Sequence, residues 1–310
     1  MNCPGRLLRA VAPVATAAVL LSVTGCGLTA PAGSDGPLSA EASPSGTGPS
    51  SASERERDDA LIAELPPGLA APGKKELAQQ ILATAENSTL DWRGQYDHIE
   101  DLGDGNGYTA GVVGFCTGTN DLLTLVERYT KSHPDNGLAR YLPALREVDG
   151  SDSHEGLDPG FTDAWVQEAQ KAEFREAQDT ERDRIYFDPA VRLAKLDGLG
   201  TLGQFIYYDA MVLHGPGTGP RGFYGLRNAA MEQADAPSQG GEGGKGSKQK
   251  AEKAYLDAFL DVHRAAMKHE DPQRDTTRVD TTQRRFLDDG NFDLATPLRW
   301  EMYGETFRLP

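Results

Sequence analysis

The chain has 310 residues, enough for one large domain or two small ones with a substantial buried core. Its formal net charge of −16 argues against a nucleic-acid-binding role, because neutralising phosphates takes clustered Lys and Arg. The acid excess suits a cationic ligand instead, although a negative surface also simply keeps an exported protein soluble.

Arg6 and Arg9 precede an apolar run, Val11–Val23, that is too short to span a bilayer as a mature helix. Residues 1–25 therefore read as an export signal. The run ends in Val23-Thr24-Gly25-Cys26, which resembles the lipobox of bacterial lipoproteins. That resemblance implies cleavage before Cys26 and lipidation of its sulfur, so that the membrane is reached only through this residue. The expected location is outside the cell, anchored to the outer face of the membrane. From Thr29 to Ser53 the composition collapses to Ser, Gly, Pro, Ala and Thr, with no apolar period to offset the entropy of ordering. Residues 26–72 read as lipidated cysteine plus disordered tether, with the charged run Glu54–Asp59 part of the exposed tail. The folded body is expected over residues 73–310.

Leu77, Ile81, Leu82 and Ala85 share one helical stripe and predict a helix over Lys74–Asn87 with Glu86 near its end. Between Tyr96 and Phe115 repeated glycines break any helix, and Tyr108, Thr109, Val112 and Val113 predict short strands in a small hairpin or sheet. Cys116 follows in an apolar context and reads as a buried small hydrophobe rather than a nucleophile. Helical patterns resume over Asp121–Lys131, Leu138–Val148, Thr162–Asp183 and Pro189–Leu196. Leu199–Leu213 is apolar nearly all round, as a central buried helix would be. Gln239–Lys250 is a polar Gly/Lys loop, expected to be mobile. Helices over Ala251–Lys268 and Thr281–Asp288 and an irregular tail through Trp300 and Tyr303 complete the chain. The fold class is α+β, mainly α, with two lobes around one cleft.

Glu86 and Asp104 stand eighteen positions apart, one at a helix end and one in a glycine-rich turn followed by Thr109. Two carboxylates on separate elements can face each other across a cleft, one protonating a leaving oxygen and the other activating water or attacking a sugar. Taken singly, each has an ordinary reading, as a surface Glu at a helix end and an Asp-Gly turn. Asp101, Asp104 and Asn106 invite comparison with a calcium loop, but the spacing fails: counted from Asp104, the sixth position is Thr109 and the twelfth Phe115. No G-x-S-x-G elbow, H-E-x-x-H pair or phosphate-binding glycine loop occurs, so neither a metal nor a cofactor is expected. Among the histidines, His214 before Gly215-Pro216-Gly217 stands out, although most such residues merely end a helix.

From about Lys74 onward the chain resembles glycoside hydrolase family 46, the secreted chitosanases. The resemblance is carried by AENSTLDW (85–92), IEDLGDGNGYTAG (99–111), GFCTGTND (114–121), RYLPAL (140–145), ERDRIYFDPAV (181–191), GQFIYYDAMVLHGPG (203–217) and DTTRVDT (275–281). It implies a two-lobed, lysozyme-like body that cuts β-1,4 bonds within chitosan with inversion of configuration. By position it implies that Glu86 is the general acid and Asp104 the general base, and that Thr109 helps to hold the attacking water. Asp121 is implied to grip a glucosamine ammonium. Asp209 and Arg278 are implied to belong to a charged network behind the acid.

Two positions depart from the family pattern. Asn106 stands where relatives place an arginine that contacts the distal sugar. His263 followed by Arg264 stands where they place a second network arginine, which leaves open whether Arg264 substitutes for it or His263 makes the network pH-sensitive. The expected protein is thus a monomeric endo-chitosanase with Asn106, Asp121 and His214 toward substrate and no nucleic-acid partner. Two alternatives stay open: a peptidoglycan-cleaving hydrolase of the same form, and a non-catalytic lipoprotein that binds cationic glycans.

Overall fold

The computed structural model describes residues 52–237 and 245–310. The expected signal peptide, Cys26 and the expected tether through Ser51 lie outside the described residues, as do positions 239–244 of the polar loop.

The central element is helix α8 (Thr201–His214), all fourteen residues of which are buried. A helix with no polar face has to be covered on every side. Helices α2 (Pro72–Asn87), α7 (Asp188–Leu196), α9 (Phe223–Met231) and α10 (Lys245–Glu270) supply that cover. Tyr207 packs edge-on against Phe223 and beside Phe259, tying α8 to α9 and α10 through aromatic contacts.

The other lobe is built on a three-stranded antiparallel sheet of β1 (Ile99–Asp101), β2 (Tyr108–Ala110) and β3 (Phe115–Cys116) in that order. Helices α3 (Asp121–Ser132), α4 (Leu142–Val148), α5 (Phe161–Glu168) and α6 (Ala172–Arg182) pack around it. Phe174 sits against both Tyr129 and Trp165 at the centre of this group. Cys116 is fully buried. Helix α6, a π-helical turn over Asp183–Phe187 and α7 run head to tail and carry the chain from one lobe to the other. One continuous hydrophobic core links the two.

The structure departs from the sequence reading at several elements. Ala52–Ala63 forms helix α1: the charged run 54–59 is helical, with residues 55–59 largely exposed as expected, and Arg192 of α7 reaches Asp59 at 2.6 Å. Leu69 is fully buried and its N–H donates to Gln204 Oε1 at 2.8 Å, so ordered packing starts before residue 73. The single helix expected over 162–183 is two, because Lys171 is extended and its ammonium closes on the buried Glu168 carboxylate at 2.9 Å. Residues 245–250 of the expected loop are the first turns of α10, and α9 was not anticipated.

The largest difference is the C-terminal tail. It is an antiparallel hairpin of β4 (Leu298–Met302) and β5 (Glu305–Leu309) rather than an irregular segment. Leu298, Trp300 and Met302 alternate inward, while Tyr303 and Gly304 hold positive φ of 52° and 82°, the twist a two-residue hairpin turn requires.

Candidate active site

Glu86 lies on the buried stripe of α2 and is 7 % exposed, so it is not the surface residue that a helix-end glutamate usually is. Pro72 starts this helix at its first turn and Ser88, in the left-handed region at φ 52°, ends it two residues past Glu86. The C-terminal hairpin fixes that end. Trp300 Nε1 donates to Thr84 Oγ1 at 3.0 Å, and Tyr303 Oη donates to the Ala85 carbonyl at 2.8 Å.

Behind the carboxylate, Arg278 donates through Nη2 to Glu86 Oε1, and its Nε lies 3.2 Å from Asp209 Oδ1. Both partners are buried, Asp209 on α8 and Arg278 in a π-helical turn over Arg278–Gln283. Burial alone would lower the Arg278 pKa, but Asp209 and Glu86 outweigh it and hold the guanidinium above its ordinary value. Burial pushes Asp209 up to about 6, against the pull of Arg278 and the hydrogen bond from Gln283. Two carboxylates therefore share one guanidinium in a dry site.

Arg264, the candidate second arginine, does not reach this network. Its side chain is 45 % exposed and its Nε pairs with Asp280 at 2.9 Å. The reason is helical phase: His263 faces inward on α10, and the next residue points about 100° around the helix, toward solvent. His263 is fully buried, packs edge-on to His214 with ring centroids 4.9 Å apart, and among the described residues has no hydrogen-bond partner at either ring nitrogen. Burial, the neighbouring His214 and the charge of Arg278 hold it far below its ordinary pKa, so it is a neutral ring. The basic group that sequence reasoning missed is Arg274. It is buried, pairs with Glu270 at 2.7 Å and lies within electrostatic reach of Glu86 and Arg278.

Asp104 is placed oppositely in every respect. It is exposed in the β1–β2 turn, where its Oδ1 accepts the Asn106 N–H at 3.0 Å. The turn is pinned to the body: Asn106 O accepts the Gly118 N–H at 3.0 Å, and Tyr108 N–H donates to Thr117 Oγ1 at 2.9 Å. Gly107 makes that approach possible, since a Cβ there would sit 2.2 Å from Thr117 Oγ1. Thr109 follows on β2, buried, with its hydroxyl 3.3 Å from Cys116 Sγ.

Asp104, Asn106, His214, Arg221 and Glu270 line one groove of about 600 Å³ between the β1–β2 turn and the loop joining α8 to α9. The structure thus brings Asp104, Asn106 and His214 to one wall system. His214 is buried at the end of α8, where burial and then Arg274 and Arg278 lower its pKa to about 3, so it meets the groove uncharged. Glu86 and Thr109 are not among the residues lining this groove, and neither is Asp121. Its Oδ1 accepts from Thr119 Oγ1, Cys116 N–H and Leu122 N–H, and its Oδ2 from Tyr186 Oη at 2.9 Å. Burial raises its pKa against those four donors, and the geometry makes it the residue that ties β3 to the start of α3. Among the described residues, no group of three or more His, Cys, Asp or Glu side chains could hold a metal ion.

Residues 80–298 match the model of Glycosyl hydrolase family 46. The chain belongs to that family. It is 54 % identical to a chitosanase of Streptomyces sp. strain N174 over 240 residues, which is 77 % of this chain and 83 % of the relative. It is 50 % identical to a chitosanase of Nocardioides sp. strain N106, over 78 % of this chain and 84 % of the other. Among solved structures it is similar to chitosanase OU01 crystallised with substrate, at a TM-score of 0.73 and 48 % identity, covering 78 % of this chain and 99 % of that one. The family 46 chitosanase of Gynuella sunshinyii in complex with chitotetraose superposes at a TM-score of 0.68 with 32 % identity, over 76 % and 97 % of the two chains. The fold is therefore the two-lobed, lysozyme-like one of this glycoside hydrolase family.

Proposed function

We propose that the protein is an endo-acting chitosanase that cleaves β-1,4 bonds by inversion, with Glu86 as general acid, Asp104 as general base and Thr109 positioning the attacking water. The observation that carries the reading is the contrast between the two carboxylates in a family 46 fold. Glu86 is buried and held from behind by Arg278, while Asp104 is exposed on a pinned turn facing an open groove. Arg278, donating to Glu86 Oε1 from behind, fixes the carboxyl in place. A base that activates water needs access and room, which an exposed turn gives. Asp104 and Glu270 line the groove with Arg221, and Glu270 is paired to Arg274, so attraction of a polymer carrying an ammonium on each deacetylated sugar rests on Asp104 and on the net charge of −16.

The proposal extends to the N-terminal segment: export directed by residues 1–25 and retention at the outer membrane face through lipidated Cys26, with a monomeric folded body. The lipobox-like Val23-Thr24-Gly25-Cys26 motivates it.

The test of the chemistry is turnover of chitosan by Glu86→Gln and Asp104→Asn, each expected to fall by at least 10²-fold, the lower bound typical of general acid–base catalysis. NMR of the first product should show the α-anomer. Near wild-type turnover in either variant, or a β-anomer, overturns the assignment. Peptidoglycan digested in parallel should release no reducing ends.

A further inference from the structure

The π-helical turn Arg278–Gln283 sets the spacing of two side chains that meet on one carboxylate. In an α-helix, residues five apart point about 140° away from each other. In a π-helix the hydrogen bonds run i→i+5, so residues five apart stack one above the other. Arg278 and Gln283 are five apart, and both reach Asp209: Arg278 Nε lies 3.2 Å from Oδ1, and Gln283 Nε2 donates to Oδ2 at 2.5 Å. Gln283 is 1 % exposed, and among the described residues its other amide atom, Oε1, has no hydrogen-bond partner.

We propose that Gln283 is a positioning residue for the acid: it fixes Asp209, Asp209 orients Arg278, and Arg278 holds the Glu86 carboxyl in place. The inference rests on the reading of Glu86 as the acid. The charged and titratable groups that face Asp209 or Glu86 from the packed elements are Arg278, Arg274, Tyr208 and Tyr303, with His263 and His214 standing beyond the two arginines. His263, the side chain on α10 that could have supplied a second cation, is a neutral ring without hydrogen-bond partners among the described residues. Asp209 therefore has one guanidinium, shared with Glu86, and the Gln283 amide is what secures its second oxygen. Without that amide the carboxylate is less well held in its ionised form. It takes up a proton more readily. Arg278 then loses the anion that orients it, so the Glu86 carboxyl is held less well wherever Asp209 is protonated.

The experiment compares kcat, KM and the pH profile of chitosan hydrolysis for wild type, Gln283→Leu and Gln283→Glu, with Glu86→Gln as the reference for the acid itself. Gln283→Leu should lower kcat by about 10-fold or more, leave KM within about twofold, and move the acidic limb of the profile to higher pH, because Asp209 must ionise to orient Arg278. Gln283→Glu should stay within about threefold of wild type at the acidic end, where its protonated carboxyl still donates to Asp209. It should then lose activity faster than wild type as that carboxyl ionises beside Asp209. A folded Gln283→Leu enzyme with wild-type kcat and profile overturns the inference, as does a loss confined to KM. If Gln283→Leu does not fold, Gln283→Glu decides alone: a profile parallel to wild type refutes the positioning role. Retained activity in Glu86→Gln would instead refute the acid assignment, so the two failures are distinct.

Discussion

Replacing Asp209 by Asn isolates the electrostatic penalty of a carboxylate buried behind the acid. Asp209 is 1 % exposed, and burial, its largest influence, raises its pKa from an ordinary 3.8 to about 6. The folded protein thus binds this proton more tightly than the unfolded chain does. The associated stability is fully present below the unfolded pKa and is lost as pH rises through the folded one, here between 3.8 and about 6. The gap amounts to about 3 kcal/mol, at about 1.4 kcal/mol for each tenfold change in proton affinity. Asn cannot ionise, so the variant lacks that loss. Its unfolding free energy, relative to wild type, should rise by about 3 kcal/mol between pH 3.5 and pH 7.5. Glu252, which burial raises to about 7, titrates in both proteins and cancels from the difference. Urea unfolding followed by tryptophan fluorescence across that range measures the effect. With slopes of about 3 kcal/mol/M, the midpoint difference should swing by on the order of 1 M. Any constant offset reports the weakened contacts to Arg278 and Gln283 and carries no pH dependence. A flat difference curve would show that Asp209 ionises freely in the folded state, and the account of two carboxylates sharing one dry guanidinium would fail.

Two further substitutions probe how the acid is supported. Arg264→Gln removes an exposed pair with Asp280 and should change stability by less than about 1 kcal/mol and leave kcat unchanged; a large fall in kcat would return Arg264 to the network. Trp300→Ala empties a fully buried site and removes the indole hydrogen bond to Thr84, so thermal unfolding should report a loss of about 3–5 kcal/mol. The same variant, assayed below its melting range, should also lose turnover, because the hairpin clamps the end of α2 that carries Glu86.

The legible parts of this molecule were those in which the reason for a structure is local. An all-apolar run could only be a covered helix, and α8 is one. The glycines between 103 and 114 ruled out a helix there, and three short strands occupy that stretch. The C-terminal hairpin carried its signal too, in the alternation of Leu298, Trp300 and Met302. Two strands of five residues with few β-branched side chains did not stand out against an irregular tail. Helix α1 was hidden for another reason: its sequence is polar, and part of what holds it is the long-range pairing of Arg192 with Asp58 and Asp59. Arg274 and Gln283 could not be read from the sequence, because their importance comes from partners distant along the chain. The inward facing of His263 rather than Arg264 depends on the phase of α10, which one residue of register decides.

That difference follows the chemistry assigned to the two carboxylates. The proposed base needs exposure and a rigid backbone, and a tight turn supplies both within about fifteen residues, from Asp104 to Gly118. The proposed acid needs a dry site in which an opposing charge is close enough to fix it, and no short segment can bury a carboxylate on its own. Glu86 therefore depends on Asp209 in α8, on Arg278 and Gln283 in the π-helical turn and on Tyr303 in the last hairpin, a span of more than two hundred residues. Damage to the turn should impair catalysis and leave folding intact. Damage to the far side of the network should reach both, because the same contacts that hold the acid also close the second lobe around α8.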